Sequence, residues 1–144
     1  MWKRIALALV AVLLVAQVVP VARDNPPAQG EVPAPPEIRA LLERSCYDCH
    51  SRETRWPWYG YVAPVSWLLA SDVHEAREHL DFTAWDTYSE KKRRKRIGEV
   101  WEEVEEGEMP LWFYLPLHPE ARLSQDDLTR LRDWTRAAGE LAAR

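Results

Sequence analysis

The chain has 144 residues, the usual length of a single domain, and its 23 acidic side chains outnumber its 19 Lys and Arg. The resulting formal net charge of −4 argues against nucleic acid as a partner. Gly is scarce and runs of alternating β-branched residues are absent beyond the N-terminus, so the composition favours an all-α fold over a sheet.

The N-terminal residues 1–22 are first basic and then strongly apolar. Lys3 and Arg4 precede an apolar run at residues 5–22 that contains one Gln and one Pro. This order is typical of an export signal, and the run is close to the roughly 20 residues of a membrane span. Because the run does not end in a small-x-small cleavage site, an uncleaved inner-membrane anchor is favoured over a removed signal peptide. Both interpretations place the rest of the chain on the periplasmic side.

Residues 23–36 contain five of the eleven Pro residues and few apolar side chains. Such a composition favours extended polyproline II backbone. We therefore expect a semi-stiff linker here, which would separate the N-terminal segment from a folded domain at residues 37–144.

The domain is predicted to contain four helices, since apolar residues recur three and four positions apart in four stretches. Ser89 is a good N-cap, Gly107 is a typical C′ residue, and Ser124 with Asp127 forms a variant of the capping box. The predicted helices run from Glu37 to about Cys46, from Pro64 to about Leu80, from Ser89 to Glu106, and onward from Ser124.

The candidate site begins at the two cysteines of the chain, Cys46 and Cys49, which His50 follows directly. C-x-x-C-H is the pattern of c-type haem attachment. On a helical turn, residues three apart lie on one side, so the two thiols can each add to one vinyl group along a haem edge. The imidazole of His50 would then lie under the iron as the first axial ligand.

Three other interpretations of the cysteine pair are less consistent with the sequence. A thioredoxin-like pair calls for a βαβ context, which is missing here. A structural zinc site needs about four ligands, and this motif supplies fewer. A disulfide between residues three apart in a helix is geometrically awkward.

The sixth iron ligand is predicted to be Met109, which stands between a helix stop and Pro110. A thioether on a stiff loop suits the far side of a haem, and Met/His ligation is the pattern of cytochromes c. His118 lies in the same loop and is the rival ligand. His74 and His79 stand among charged residues and are expected to face solvent.

Several segments together resemble the bacterial haem-binding domain family with a C-x-x-C-H motif. The resemblance covers nearly all of residues 37–138. It implies a small, all-α, cytochrome c-like domain around one covalent haem c, attached at Cys46, Cys49 and His50, in a protein that is exported or anchored. The matching segments are Cys46 to Ser51, Glu53 to Tyr59, Ala63 to Trp67, Glu106 to Pro110, and Leu117 to Ser124.

Three functions remain open at this stage, and the third is a haem-bearing assembly or interaction module in which redox activity is incidental. The first is electron transfer by a six-coordinate haem, with an unidentified protein as redox partner and no catalysis. The second is a haem enzyme or sensor, such as a peroxidase-like protein, with a displaceable sixth ligand. The sequence offers no clear acid/base pair for the second function.

Six consecutive cations at Lys91 to Arg96 are either a solvated helix face or a docking patch for an acidic partner.

Overall fold

The computed structural model describes residues 1–141, and within them the side chains of residues 1–139. All regular structure in this range is helical, which confirms the all-α prediction. The predicted end of the domain at residue 144 lies outside the described residues.

The first helix, α1 (Trp2–Ala16), contains residues 5–16 of the apolar N-terminal run and has no buried residue. It ends at Ala16, and no helix in the described part of the chain is both long and apolar enough to cross a membrane. The side-chain amide of Gln17 donates to the carbonyl of Ala63 (3.2 Å) and accepts from its N–H (3.0 Å). These two hydrogen bonds connect the end of α1 to the domain.

The four helices predicted for the domain are present, and their ends lie within about one residue of the expected positions. The motif lies on a short helix of its own, separate from the first predicted helix. The helices of the domain are α2 (Pro36–Ser45), α3 (Tyr47–His50), α4 (Val65–His79), α5 (Glu90–Glu105) and α6 (Gln125–Leu141), with 3-10 turns at Trp58–Tyr61, Trp85–Thr87 and Pro119–Ala121.

Helix α5 has the predicted residues at both ends. Ser89 Oγ accepts a hydrogen bond from the N–H of Lys92 (3.3 Å). Gly107 adopts a φ of +79°, and the N–H of Glu108 donates to the carbonyl of Glu103 (2.9 Å). This is a Schellman motif, in which a Gly in the left-handed conformation allows N–H groups beyond the helix to donate to its last carbonyls.

The predicted capping box of α6 is also formed. Asp127 Oδ2 accepts from both the N–H (2.9 Å) and the hydroxyl (2.8 Å) of Ser124, and Ser124 Oγ accepts from the N–H of Asp127 (3.2 Å). Arg44 of α2 adds an ion pair to the same carboxylate at 2.9 Å. The cap of α6 therefore also attaches this helix to α2.

The core lies between α2, α5 and α6, and the segment 80–88 closes one end of it. Leu42 and Leu131 are fully buried at its centre, and Phe82 is almost fully buried. The apolar residues of helix α4 are not all buried. Val73 is buried, but Leu68 is 65% exposed, and the elements with the main contacts to α4 are α3 and the 3-10 turn at Trp58–Tyr61.

The Pro-rich segment 23–36 has no helix before Pro36, and it lies against the domain along much of its length. The N–H of Val32 donates to the carbonyl of Phe82 (2.9 Å), and the Val32 side chain is part of the core. The N–H of Trp85 donates to the carbonyl of Gly30 (3.2 Å). Because of these contacts, residues 23–36 form a strap that is bound to the domain rather than a free spacer. Its boundary with the domain at residue 36 stays a prediction.

Candidate haem site

The motif Cys46–His50 forms a tight helical turn on α3. The N–H groups of Cys49 and His50 donate to the carbonyl of Cys46 at 3.2 and 2.9 Å. Helix α3 packs against α2 and α4. The turn therefore presents the two thiols and the imidazole from one short, well-supported element, as the C-x-x-C-H spacing predicts.

Both thiols of the motif are free and half-buried. Burial, followed by the neighbouring Cys49, raises the pKa of Cys46 to about 12. Burial, followed by the negative charges of Asp48 and Asp72, raises the pKa of Cys49 to about 11. Both raised pKa values favour the protonated thiol at neutral pH, and no disulfide joins the two cysteines.

The imidazole of His50 is oriented by a backbone carbonyl. His50 Nδ1 lies 3.0 Å from the oxygen of Leu80. A carbonyl oxygen only accepts, so Nδ1 carries the proton and the lone pair of Nε2 remains available for a metal ion. Burial lowers the pKa of His50, which favours the neutral imidazole that metal binding requires.

The segment that supplies this carbonyl is itself held in several ways. The N–H of Phe82 donates to the carbonyl of His50 (2.8 Å). Asp81 is buried, pairs with Arg52 at 2.9 Å, and accepts from the N–H and the hydroxyl of Thr83 at 2.9 and 2.8 Å. The backbone that orients the imidazole is thus fixed by the neighbouring ion pair between the buried Asp81 and the partly buried Arg52.

The second variable residue of the motif, Asp48, accepts hydrogen bonds from two other parts of the chain. Arg55 approaches it with its N–H, its Nε and its NH2 group at 3.0 to 3.1 Å. The hydroxyl of Tyr114 donates to Asp48 Oδ2 at 3.1 Å. This contact was not predictable from the sequence, since residues 66 positions apart carry no local signal of pairing.

The loop after α5 carries Met109. The N–H of Met109 donates to the carbonyl of Glu103 at 3.1 Å, which places the residue at the end of α5. No hydrogen bond or ring contact described for residues 1–139 joins Met109 to Cys46, Cys49 or His50. The contact between this loop and the motif is made by Tyr114, five residues further on.

The rival ligand His118 has partners at both ring nitrogens. Its Nδ1 lies 3.2 Å from Glu120 Oε1, and its Nε2 lies 2.6 Å from the hydroxyl of Tyr59. Its ring also stacks on Tyr114, with centroids 3.9 Å apart and an angle of 4° between the planes. In the neutral imidazole, Nδ1–H donates to the carboxylate and the lone pair of Nε2 accepts from the Tyr59 hydroxyl. The remaining histidines, His74 and His79, are exposed as expected.

The cation block on α5 is less free than its sequence suggests. The ammonium of Lys92 lies 3.9 Å from the centre of the Tyr88 ring, and Arg93 donates to the carbonyl of Trp85. Lys95 and Arg96 both pair with Glu99. At least four of the six cations therefore have partners within the domain, and the choice between a solvated helix face and a docking patch stays a prediction.

The donor set fits a haem better than it fits a protein-bound metal ion. Among the described residues, no group of three or more His, Cys, Asp and Glu side chains could hold an ion. Two thiols on a single turn suit the edge of a porphyrin, and the neutral imidazole beside them suits its iron. The loop that Tyr114 attaches to the motif adds exposed apolar groups, and Trp112 is 79% exposed. A flat apolar cofactor would cover such side chains.

The chain matches the model of a family described as "Haem-binding domain" over residues 11–137. Comparisons with curated proteins and with solved structures found no significant match. The family match covers most of the chain and includes the motif, Met109 and His118. The chain therefore belongs to the haem-binding domain family, and haem is its cofactor.

Proposed function

We propose that this protein is a mono-haem c-type cytochrome domain that carries electrons. The observation that supports the proposal is the pair of free thiols on one helical turn, next to an imidazole whose Nε2 lone pair is available. A bound haem would supply an iron that changes between two oxidation states. The activity needs no acid/base pair, and the protein is a carrier rather than an enzyme.

The residues of the motif have distinct roles in this proposal. The S–H of Cys46 and of Cys49 would each add across one vinyl group, which forms a C–S bond and needs no oxidant. His50 would ligate the iron through Nε2, while Leu80 fixes the ring by accepting from Nδ1–H. Two thioether bonds would keep the cofactor attached when the fold opens.

Met109 is the proposed sixth ligand, and two observations support this choice over His118. Met109 follows the Schellman end of α5, whose hydrogen bonds to Glu103 fix where the loop begins. His118 already uses both ring nitrogens in contacts with Glu120 and Tyr59. A thioether ligand would raise the reduction potential above that of a bis-imidazole site.

The proposed location is the periplasmic side of the inner membrane, with residues 5–22 as anchor where they are not cleaved. The proposed partner is a redox protein. Because the periplasm is oxidising, the two thiols would have to be kept reduced until they meet the haem. The cation block would be the place for an acidic partner to dock, through the charges that remain exposed, such as Lys91.

The proposal is tested by expressing the full chain with an export-linked haem ligation system. We expect a coloured protein that keeps its pigment after acid–acetone extraction. Cys46→Ser with Cys49→Ser should release the pigment under the same treatment. The matched control Ser45→Ala with Ser51→Ala should retain it. A wild-type protein that loses all its pigment would contradict covalent attachment.

Carbon monoxide binding separates the carrier from the haem enzyme or sensor. With both axial positions filled, the reduced protein should bind carbon monoxide poorly, and Met109→Ala should bind it readily. The oxidised wild type should show a methionine–ferric charge-transfer band that Met109→Ala lacks and His118→Ala retains. Ready binding by the wild type would favour the enzyme or sensor.

A further inference from the structure

A contact between Asp48 and Tyr114 joins the haem-attachment turn to the loop that follows α5. We propose that this hydrogen bond is a clasp that positions Met109 at the iron, so that Asp48 and Tyr114 are positioning residues for the sixth ligand. The inference rests on the proposed function, since it assumes a haem held by the motif and ligated by Met109.

The Asp48 end of the clasp is rigid. Its carboxylate accepts three hydrogen bonds from Arg55 in addition to that from Tyr114, and its side chain is only 16% exposed. Asp48 stands between the two cysteines, within the turn that the thioether bonds would immobilise. Any group that binds this carboxylate is therefore fixed relative to the haem itself. A hydrogen bond to a charged acceptor is also stronger than one between neutral groups.

The Tyr114 end is held by an aromatic cluster. Its ring lies almost parallel to that of His118 at 3.9 Å, and His118 is bonded in turn to Tyr59 and Glu120. Tyr59 comes from the 3-10 turn that follows the motif and packs on α4. The hydroxyl of Tyr114 consequently has little freedom to turn away from Asp48.

The chain between the clasp and the ligand is short and restrained. The N–H of Tyr114 donates to the carbonyl of Leu111 (3.0 Å), and Pro110 restricts the backbone directly after Met109. On the other side, the N–H of Met109 is bonded to Glu103 at the end of α5. Met109 therefore lies between two fixed points, the end of α5 and the clasp. Of these two, only the clasp fixes the position of Met109 relative to the turn that carries the haem.

The first test replaces Tyr114 with Phe, which removes the hydroxyl and keeps the ring that stacks on His118. The matched control is Tyr61→Phe, since Tyr61 is exposed and its ring contact with Arg23 needs no hydroxyl. In haem-loaded Tyr114→Phe we expect a weaker methionine–ferric charge-transfer band and about tenfold tighter carbon monoxide binding, because a hydrogen bond to a charged group shifts an equilibrium by about that factor. Tyr61→Phe should match the wild type.

Asp48→Asn gives a second variant, which removes the charge and keeps the shape of the acceptor. We expect the same spectral change, and Tyr114→Phe should add little in the Asp48→Asn background, since both changes break one interaction. An undiminished band in both single variants, or fully additive effects, would overturn the clasp. If one of these results is found and the wild type shows the charge-transfer band, the clasp is wrong but His/Met ligation is still supported. A wild type without the band would overturn the ligation and the clasp together.

Discussion

His50 is oriented by the carbonyl of Leu80, thirty residues away in the chain. The C-x-x-C-H spacing predicts from sequence alone that this histidine is a ligand. Its hydrogen-bond partner could not be found in this way, because every residue has a backbone carbonyl and none of them carries a sequence signal. The same holds for Tyr114, whose contact with Asp48 depends on how the loop after α5 folds back.

At the same scale, Asp81 is predicted to be essential to the backbone that holds His50. Asp81→Ala would leave the partly buried guanidinium of Arg52 and the buried hydroxyl of Thr83 without their acceptor. We expect a loss of about 2 kcal/mol in the free energy of unfolding, measured by denaturant titration. Asp86→Ala, whose carboxylate is exposed, should change it by less than about 0.5 kcal/mol. Equal effects in the two variants would contradict the role of Asp81.

At the scale of elements, the helices were predictable because their signals are local. Ser89, Gly107 and the Ser124–Asp127 pair mark ends that the structure confirms. The exposed half of α4 was not predictable in this way. Apolar spacing on α4 predicts one continuous buried face, but which part of that face finds a partner depends on tertiary packing.

Two glycines of the α5 region should respond in opposite ways to Ala. Gly107 has a φ of +79°, which L-residues adopt at a cost, so Gly107→Ala should destabilise the protein by about 1 kcal/mol. Gly98 lies inside α5 with open space around its Cα, so Gly98→Ala should stabilise it by about 0.5 kcal/mol. Thermal unfolding of both variants measures the difference. A stabilising Gly107→Ala would contradict the helix end described here.

The cap of α6 predicts a pH dependence. Burial alone would raise the pKa of Asp127, but hydrogen bonds from Ser124 and Arg44 hold it below the ordinary value. A depressed folded-state pKa contributes stability that is present above the unfolded value of about 3.9 and is lost as the pH falls through the folded value. We expect Asp127→Asn to cost about 1 kcal/mol at neutral pH and to flatten the loss of stability below about pH 4. An acid unfolding profile identical to that of Asp126→Asn would contradict the cap.

At the scale of the whole molecule, the main difference from the sequence analysis is the strap at residues 23–36. Its Pro content predicts extended backbone, and the segment indeed lacks a helix before Pro36. Composition could not show that Val32 enters the core, because a single apolar residue between prolines gives no periodic signal. The strap bonds to the segment 82–86, next to the carbonyl that orients His50.

Gly30 gives a way to loosen the strap without touching the motif. It has a φ of +90°, and a Cβ at this position would collide with the side chain of Asp86. Gly30→Ala should therefore lower the free energy of unfolding by at least about 1 kcal/mol. Hydrogen exchange should become faster at the amides of Val32 and Trp85. Unchanged exchange at both amides would show that the strap does not depend on the close contact between Gly30 and Asp86.

The most direct test of covalent haem attachment is the mass of the denatured, haem-loaded protein and of the peptide that contains Cys46 and Cys49. The account predicts that both masses increase by one haem, and that the peptide of the Cys46→Ser, Cys49→Ser double variant gains nothing. A peptide of unmodified mass from a coloured wild-type protein would contradict the account, because the haem would then be held without the two thiols.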